Sequence, residues 1–224
     1  MRRTLIAFSV LGLAALACSS LDFSSGDEVE VPLDVPIDSN LLYQDDFSST
    51  STDWGTGEDA EAVLDVENGS FRINIIIPQN LFWTTPGQSF TDVVVDVDAE
   101  KTAGPEAAEY GVMCRYNETE AGSHSFYYLV IAGDTYAAII KVVDDEQIEV
   151  SARDVQFDEI NGGNATNHIT ASCIGSNLIL SANGSQLFAV TDDSLTSGDV
   201  GLIATTYEEG GIDVKFDNFV VTEP

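Results

Sequence analysis

The sequence predicts an all-β protein, a two-sheet antiparallel jelly-roll sandwich preceded by a signal peptide and a disordered tether. Three observations predict it. From Leu41 onward, apolar and polar residues alternate with period two in short runs, the pattern of half-buried strands. The runs are separated by Gly, Asn, Asp and Pro, and Asn183-Gly184 between NLILSA and SQLFAV is a strong short-range hairpin signal. No segment of helical length places apolar residues three and four apart.

Taken in order, the expected strands are LLYQDDF, SFRINIII, DVVVDVDA, EYGVMCRY, SFYYLVIA, TYAAIIKVV, QIEVSARD, NHITASCI, NLILSAN, QLFAVTD, DVGLIATTY and GIDVKFDNFVV. About a dozen strands with meander-like turns fill one sandwich domain over residues 41–224. Gly175-Ser176-Asn177 is a second turn, and no internal repeat or second domain is evident.

Ahead of the domain, residues 1–17 carry Arg2 and Arg3 and then an apolar run from Leu5 to Ala17, too short to span a bilayer. This reads as a secretory signal. Its end, Ala15-Leu16-Ala17-Cys18, resembles the bacterial lipobox, with Ala15 where Leu is commoner, and implies lipidation of Cys18. Residues 18–40 are rich in Ser, Asp, Glu and Pro, with too few large apolar residues to bury, and read as an acidic flexible tether. The expected location is extracytoplasmic, on a membrane through the lipid.

The chain has 38 Asp and Glu against 8 Lys and Arg, a net charge of −30, which removal of Arg2 and Arg3 would deepen. Such a surface repels phosphate backbones and excludes nucleic acid as a partner. Cations, basic partners and neutral sugars remain. With Cys18 assigned to lipid, Cys114 and Cys173 are left, both inward-facing by the parity of their apolar neighbours. An even remainder in an oxidising compartment suits one disulfide; two separate buried thiols are the alternative.

The succession DDF, SFRI, FTDVVVDV, YGVMCRY, FYYLVI, ASCIGSNLILSANG, GDVGLIA and FDNFVV, over Leu42 to Val221, resembles the laminin-G-like, concanavalin A-like sandwich of bacterial surface lipoproteins. That superfamily holds lectins, carbohydrate-binding modules, glycoside hydrolases and adhesive domains, so the resemblance implies a fold more than an activity. In its hydrolases a strand carries Glu-x-Asp-x-Glu; the nearest match is Asp96-Val97-Asp98-Ala99-Glu100, with Asp where Glu is required. Strand alternation puts Asp96, Asp98 and Glu100 on one face and Val93, Val95, Val97 and Ala99 on the other, so the carboxylates are expected to face water.

In sugar-binding jelly rolls a structural calcium often sits between the chain ends, and the resemblance implies Asp46 and Asp217 as its ligands, with Asp45 nearby. Carbohydrate faces need exposed rings. Tyr207, beside Glu208-Glu209-Gly210-Gly211, is a surface candidate, and one of Tyr127 and Tyr128 is expected to be exposed, with Tyr128 taken as the second ligand-binding ring. Trp54 and Trp83 are expected to pack in the core or at an edge. His124 and His168 lack metal-ligand spacing, and no Gly-x-Ser-x-Gly elbow or phosphate-cradling loop occurs. The expected function is a non-catalytic binding domain on the cell envelope, taking carbohydrate or another envelope protein; the alternatives are a glycoside hydrolase of the same fold and a structural or adhesive protein.

Overall fold

The computed structural model describes residues 40–50 and 53–224. The expectations for the signal peptide, for Cys18 and for the tether up to residue 39 lie outside these residues. Among the described residues there are sixteen strands and no α-helix. In chain order they are β1 (Leu41–Asp45), β2 (Gly57–Glu58), β3 (Ala62–Glu67), β4 (Ser70–Ile75), β5 (Leu81–Thr84), β6 (Ser89–Phe90), β7 (Val93–Ala103) and β8 (Glu109–Glu118). The second half comprises β9 (His124–Ala132), β10 (Ala137–Val143), β11 (Glu146–Glu149), β12 (Thr166–Ile174), β13 (Asn177–Ala182), β14 (Ser185–Thr191), β15 (Gly198–Thr205) and β16 (Ile212–Thr222).

Two antiparallel sheets result. The larger runs β14-β13-β12-β7-β16-β4-β3-β2, with β1 also paired to β16; the smaller runs β11-β10-β9-β8-β15-β5, with β6 paired to β15. The first and last of these strands pair in the larger sheet, where Asp45 lies opposite Phe219. Four strands went unread. β3 (AVLDVE), next to the edge of the larger sheet, and β5 (LFWT), at the edge of the smaller, are short runs, and β2 and β6 are two-residue strands that alternation cannot reveal. QIEVSARD is shorter as a strand than its pattern suggests. β11 ends at Glu149, Val150 and Ser151 both donate to the Ile139 carbonyl, and the chain then leaves the smaller sheet.

Turn chemistry closes the hairpins. Asn183 and Gly184 both take positive φ, 52° and 83°, as the tight turn between β13 and β14 demands. Asn68-Gly69 does the same between β3 and β4.

The core lies between the sheets. Val93, Val95, Val97 and Ala99 of β7 face Tyr110, Val112 and Cys114 of β8 and Tyr127, Leu129 and Ile131 of β9, all buried. A bulge in β16 at Asn218, where φ is positive, lets both Phe216 and Phe219 point inward although they are three residues apart. Trp54 is buried as expected, edge-on to Phe219 at 4.9 Å, with its indole N–H donated to the Asp45 carboxylate at 3.0 Å.

Cys114 of the smaller sheet and Cys173 of the larger are joined in a disulfide across this core, 59 residues apart in sequence. Closing a loop of that length removes unfolded-state entropy worth about 4 kcal/mol in the chain-entropy description. Replacing both cysteines with Ala should therefore lower the unfolding free energy by about 2–4 kcal/mol in guanidinium titrations. A loss below about 0.5 kcal/mol would show that the bridge does not staple the two layers.

Candidate functional site

The outward faces of the two sheets differ. On the larger sheet Asp96, Asp98 and Glu100 point away from the core, with Asp96 and Asp98 partly exposed and Glu100 exposed. Cross-strand register brings His168 of β12 opposite Asp98. Its Nδ1 lies 2.8 Å from Asp98 Oδ1 and its Nε2 lies 3.2 Å from Asp96 Oδ1. Thr170 donates to Asp96 Oδ1 at 2.5 Å, and Asn218 to Asp98 Oδ2 at 2.9 Å. Two of the three carboxylates are thus committed to ties between neighbouring strands.

The outward face of the smaller sheet is apolar. Met113, Phe126, Tyr128, Val130, Ala138, Ile140, Val142 and Ile203 form a second cluster there, with Leu81, Trp83 and Tyr116 packed against it. This corrects the expectation for Tyr128. Tyr127 and Tyr128 do take opposite faces, but Tyr128 is only 2 % exposed, because its face carries an apolar cluster of its own, and its hydroxyl is donated to Gln147 at 3.2 Å.

This face is also curved. β11 and β5 are five strand spacings apart, roughly 24 Å in a flat sheet at about 4.8 Å per strand. Yet Gln147 of β11 and Leu81 of β5 line one pocket of about 530 Å³, together with Gln79, Asn80, Thr205, Thr206, Tyr207 and Glu208. Side chains from opposite edges thus meet one cavity, in keeping with a concave outward face. The carboxylates of β7 belong to the other sheet and line none of the pockets described here.

One end of the concave face is closed by three side chains from distant parts of the chain. Glu109 opens β8, Arg153 follows β11, and Tyr207 follows β15. The Tyr207 hydroxyl donates to Glu109 Oε2 at 2.5 Å, Arg153 Nη2 lies 3.1 Å from Glu109 Oε1, and the same nitrogen donates to the Tyr207 oxygen at 2.8 Å. The guanidinium carbon sits 5.8 Å from the Tyr207 ring centre. Glu109 is only 5 % exposed, and burial raises its pKa above the usual carboxylate value, opposed by the bonds from Tyr207 and Arg153. Burial, followed by the Glu109 charge, raises the Tyr207 pKa, so its hydroxyl keeps its proton.

A second pocket, of about 570 Å³, opens beside this triad, lined by Glu109, Arg153 and Tyr207 with Glu106, Asp134, Tyr136 and several alanines. Tyr207, 37 % exposed, is the ring the sequence singled out. Arg153 and Glu109 were missed: each looks like an ordinary charge in a polar stretch, and only tertiary packing places them 44 residues apart in sequence but in contact. The one available signal was Glu109 at the start of a long apolar strand.

The other site residues separate. Asp46 Oδ1 accepts the Ser48 backbone N–H at 3.1 Å, and Asp217 Oδ1 accepts that of Asn218 at 2.7 Å. A pocket of about 260 Å³ touches Asp45, Asp46 and Asn218 but is not lined by Asp217. Among the described residues no three of His, Cys, Asp or Glu converge as metal ligands. The Asp46 and Asp217 carboxylates each accept a backbone N–H of their own turn and do not share that pocket. His124 packs against Trp83 at 5.0 Å and bonds Asp145 at 2.8 Å, away from His168.

No protein-family model and no curated protein matches the sequence. Among solved structures, the fold is similar to a carbohydrate-binding module, CBM66, from Bacillus subtilis, with TM-score 0.58 and 13% identity over 77% of this chain and 96% of that one. It is similar to a galectin-like protein of unknown function from Bacillus subtilis, with TM-score 0.62 and 13% identity over 82% and 96%. It is also similar to a β-1,3-1,4-glucanase (lichenase) derived from a mouse hindgut metagenome, with TM-score 0.56 and 11% identity over 81% and 98%. The chain therefore has the jelly-roll, concanavalin A-like sandwich fold, which serves binding modules and glucanases alike.

Two outcomes follow from the geometry. Arg153→Met leaves the buried Glu109 carboxylate without its countercharge and should destabilise the protein by about 2–4 kcal/mol at pH 7, and by less near pH 4 where the carboxyl is protonated. Chemical denaturation at the two pH values measures this, and an equal loss at both would contradict it. The bonds to Asp98 and Asp96 outweigh burial and raise the His168 pKa above its ordinary 6.5. The protonated ring is thus favoured in the folded state, and its contribution is present in full below pH 6.5 and lost as pH rises through the raised value. The midpoint difference between the parent and His168→Gln should shrink from pH 6 to pH 8.5, and a constant difference would remove His168 from this role.

Proposed function

We propose that this protein is a non-catalytic carbohydrate-binding domain, displayed from the cell envelope on a lipid attached to Cys18, that takes sugar at the concave end around Tyr207. The observation that carries the reading is the Glu109–Arg153–Tyr207 triad at the mouth of a small-ligand-sized pocket. A half-exposed ring held rigid by two hydrogen bonds offers a stacking surface for the apolar face of a sugar, and the neighbouring carboxylates offer acceptors for its hydroxyls. The likeness to a carbohydrate-binding module supports it, and the likeness to glucanases fits equally well by fold.

Binding is favoured over hydrolysis because the strand that resembles the hydrolases' catalytic strand carries Asp96 where Glu is required, and because Asp96, Asp98 and the buried Glu109 are each tied to protein partners. Glu109 is held by Tyr207 and Arg153, and Asp96 and Asp98 are held by His168, Thr170 and Asn218 on the other sheet. The lipid anchor rests on the lipobox-like Ala15-Leu16-Ala17-Cys18. Two or three acyl chains at about 0.8 kcal/mol per buried methylene give durable attachment.

A glycan array with the purified protein, followed by titration of the hits, tests the reading. Tyr207→Ala should weaken binding of any hit at least tenfold, about 1.4 kcal/mol, with the fold retained by circular dichroism. Binding unaffected by Tyr207→Ala would place the sugar elsewhere, and release of new reducing ends from a bound polymer would overturn the non-catalytic assignment.

A further inference from the structure

The two pockets of the concave end are not independent. Both are lined by Tyr207 and Glu208, so they adjoin at these two residues. Each lies within the roughly 300–1,000 Å³ typical of small-ligand sites. A single sugar ring would fill one and leave the other to water.

Their linings differ in a way that bears on the ligand. The first carries Glu106, Asp134, Glu208 and Glu209 in addition to Glu109, against Arg153 alone, and that guanidinium is already bonded to Glu109 and to Tyr207. An incoming anion would meet carboxylates with no cation left to receive it. The second is lined by the carboxamides of Gln79, Asn80 and Gln147, with Glu208 its one charge, and its floor holds Thr205 and Thr206, whose buried hydroxyls donate to the Asn80 and Ile77 carbonyls. Gln147 uses its oxygen to accept from Tyr128, which orients the carboxamide and leaves its N–H groups as donors toward the cavity. Neutral carboxamides of this kind match sugar hydroxyls.

We propose that the two pockets form one groove with two subsites that meet at Tyr207, selecting an uncharged oligosaccharide of at least two units over glycans bearing carboxylates. This rests on the carbohydrate-binding reading and adds the length and charge of its ligand. The chain crosses at Tyr207 and Glu208, with one unit against the triad and the next among Gln79, Asn80 and Gln147. Gln147 is then a specificity determinant for the second unit.

The test is calorimetric titration of the purified protein with gluco-, manno-, xylo- and fructo-oligosaccharides of one to six units, and with oligogalacturonides of the same lengths. In at least one neutral series affinity should rise tenfold or more between one unit and three, and the galacturonides should bind at least tenfold more weakly than neutral chains of equal length. Gln147→Ala should abolish the gain from the added units while leaving single-unit binding within threefold, and Gln79→Ala should reproduce that loss as an independent variant. Equal affinity for one and three units would overturn the two-subsite groove while leaving a sugar site in place. Galacturonides that bind as tightly as neutral chains would overturn the charge selection. Failure of every series to bind would sink the carbohydrate reading itself.

Discussion

The parity of β7 governs the rest of the molecule. It lies between β12 and β16 in the larger sheet; Val93, Val95, Val97 and Ala99 form its buried row, and Asp96, Asp98 and Glu100 lie on the opposite face. A one-residue slip would bury Asp96, Asp98 and Glu100 and expose Val93, Val95, Val97 and Ala99. Nothing in the core could compensate three buried carboxylates, so the register is specified by hydration itself. His168, Thr170 and Asn218 add cross-strand ties on the wet side, and the bulge at Asn218 keeps Phe216 and Phe219 on the dry side despite their odd spacing.

With one layer held in this way, the other is free to curve. Residues of β11 and β5 share a cavity on its outward face, and the loop leaving β11 carries Arg153 over to Glu109 and Tyr207. The triad is both a brace and a boundary. It ties the exits of β11 and β15 to the start of β8, and in doing so it holds a tyrosine ring at the rim of the concavity. Ring and polar groups are in place before any ligand arrives, which lowers the ordering cost of binding.

Most of the architecture was legible because alternation, turn residues and cysteine parity are local signals. Twelve strands, the Asn183-Gly184 hairpin and the Cys114–Cys173 pairing all have such signatures. The strands that escaped, β3 and β5 among them, are too short for period two to stand out. The candidate site was half legible. Tyr207 shows itself by its loop of Glu and Gly, whereas the Arg153–Glu109 contact has no sequence signature, since charges far apart in the chain carry no mark of the partner they will meet. Tyr128 misled for a related reason: alternation tells which face a residue takes, but not whether that face is wet. Asp46 and Asp217 illustrate a third limit, because nothing in the sequence tells which backbone N–H a carboxylate will accept.

Five of the six basic residues among the described residues are buried or paired, Lys215 being the sixth. Lys101 and Arg115 are each 1 % exposed, bonded to backbone carbonyls and, for Lys101, to Asn164, while Arg72, Lys141 and Arg153 are paired with Asp213, Asp192 and Glu109. What the solvent meets is therefore a strongly acidic surface wrapped in its counterion cloud. Two such molecules repel until salt shortens the screening length to about 10 Å at 0.1 M, so the crowding these domains tolerate is set by the ionic strength around them.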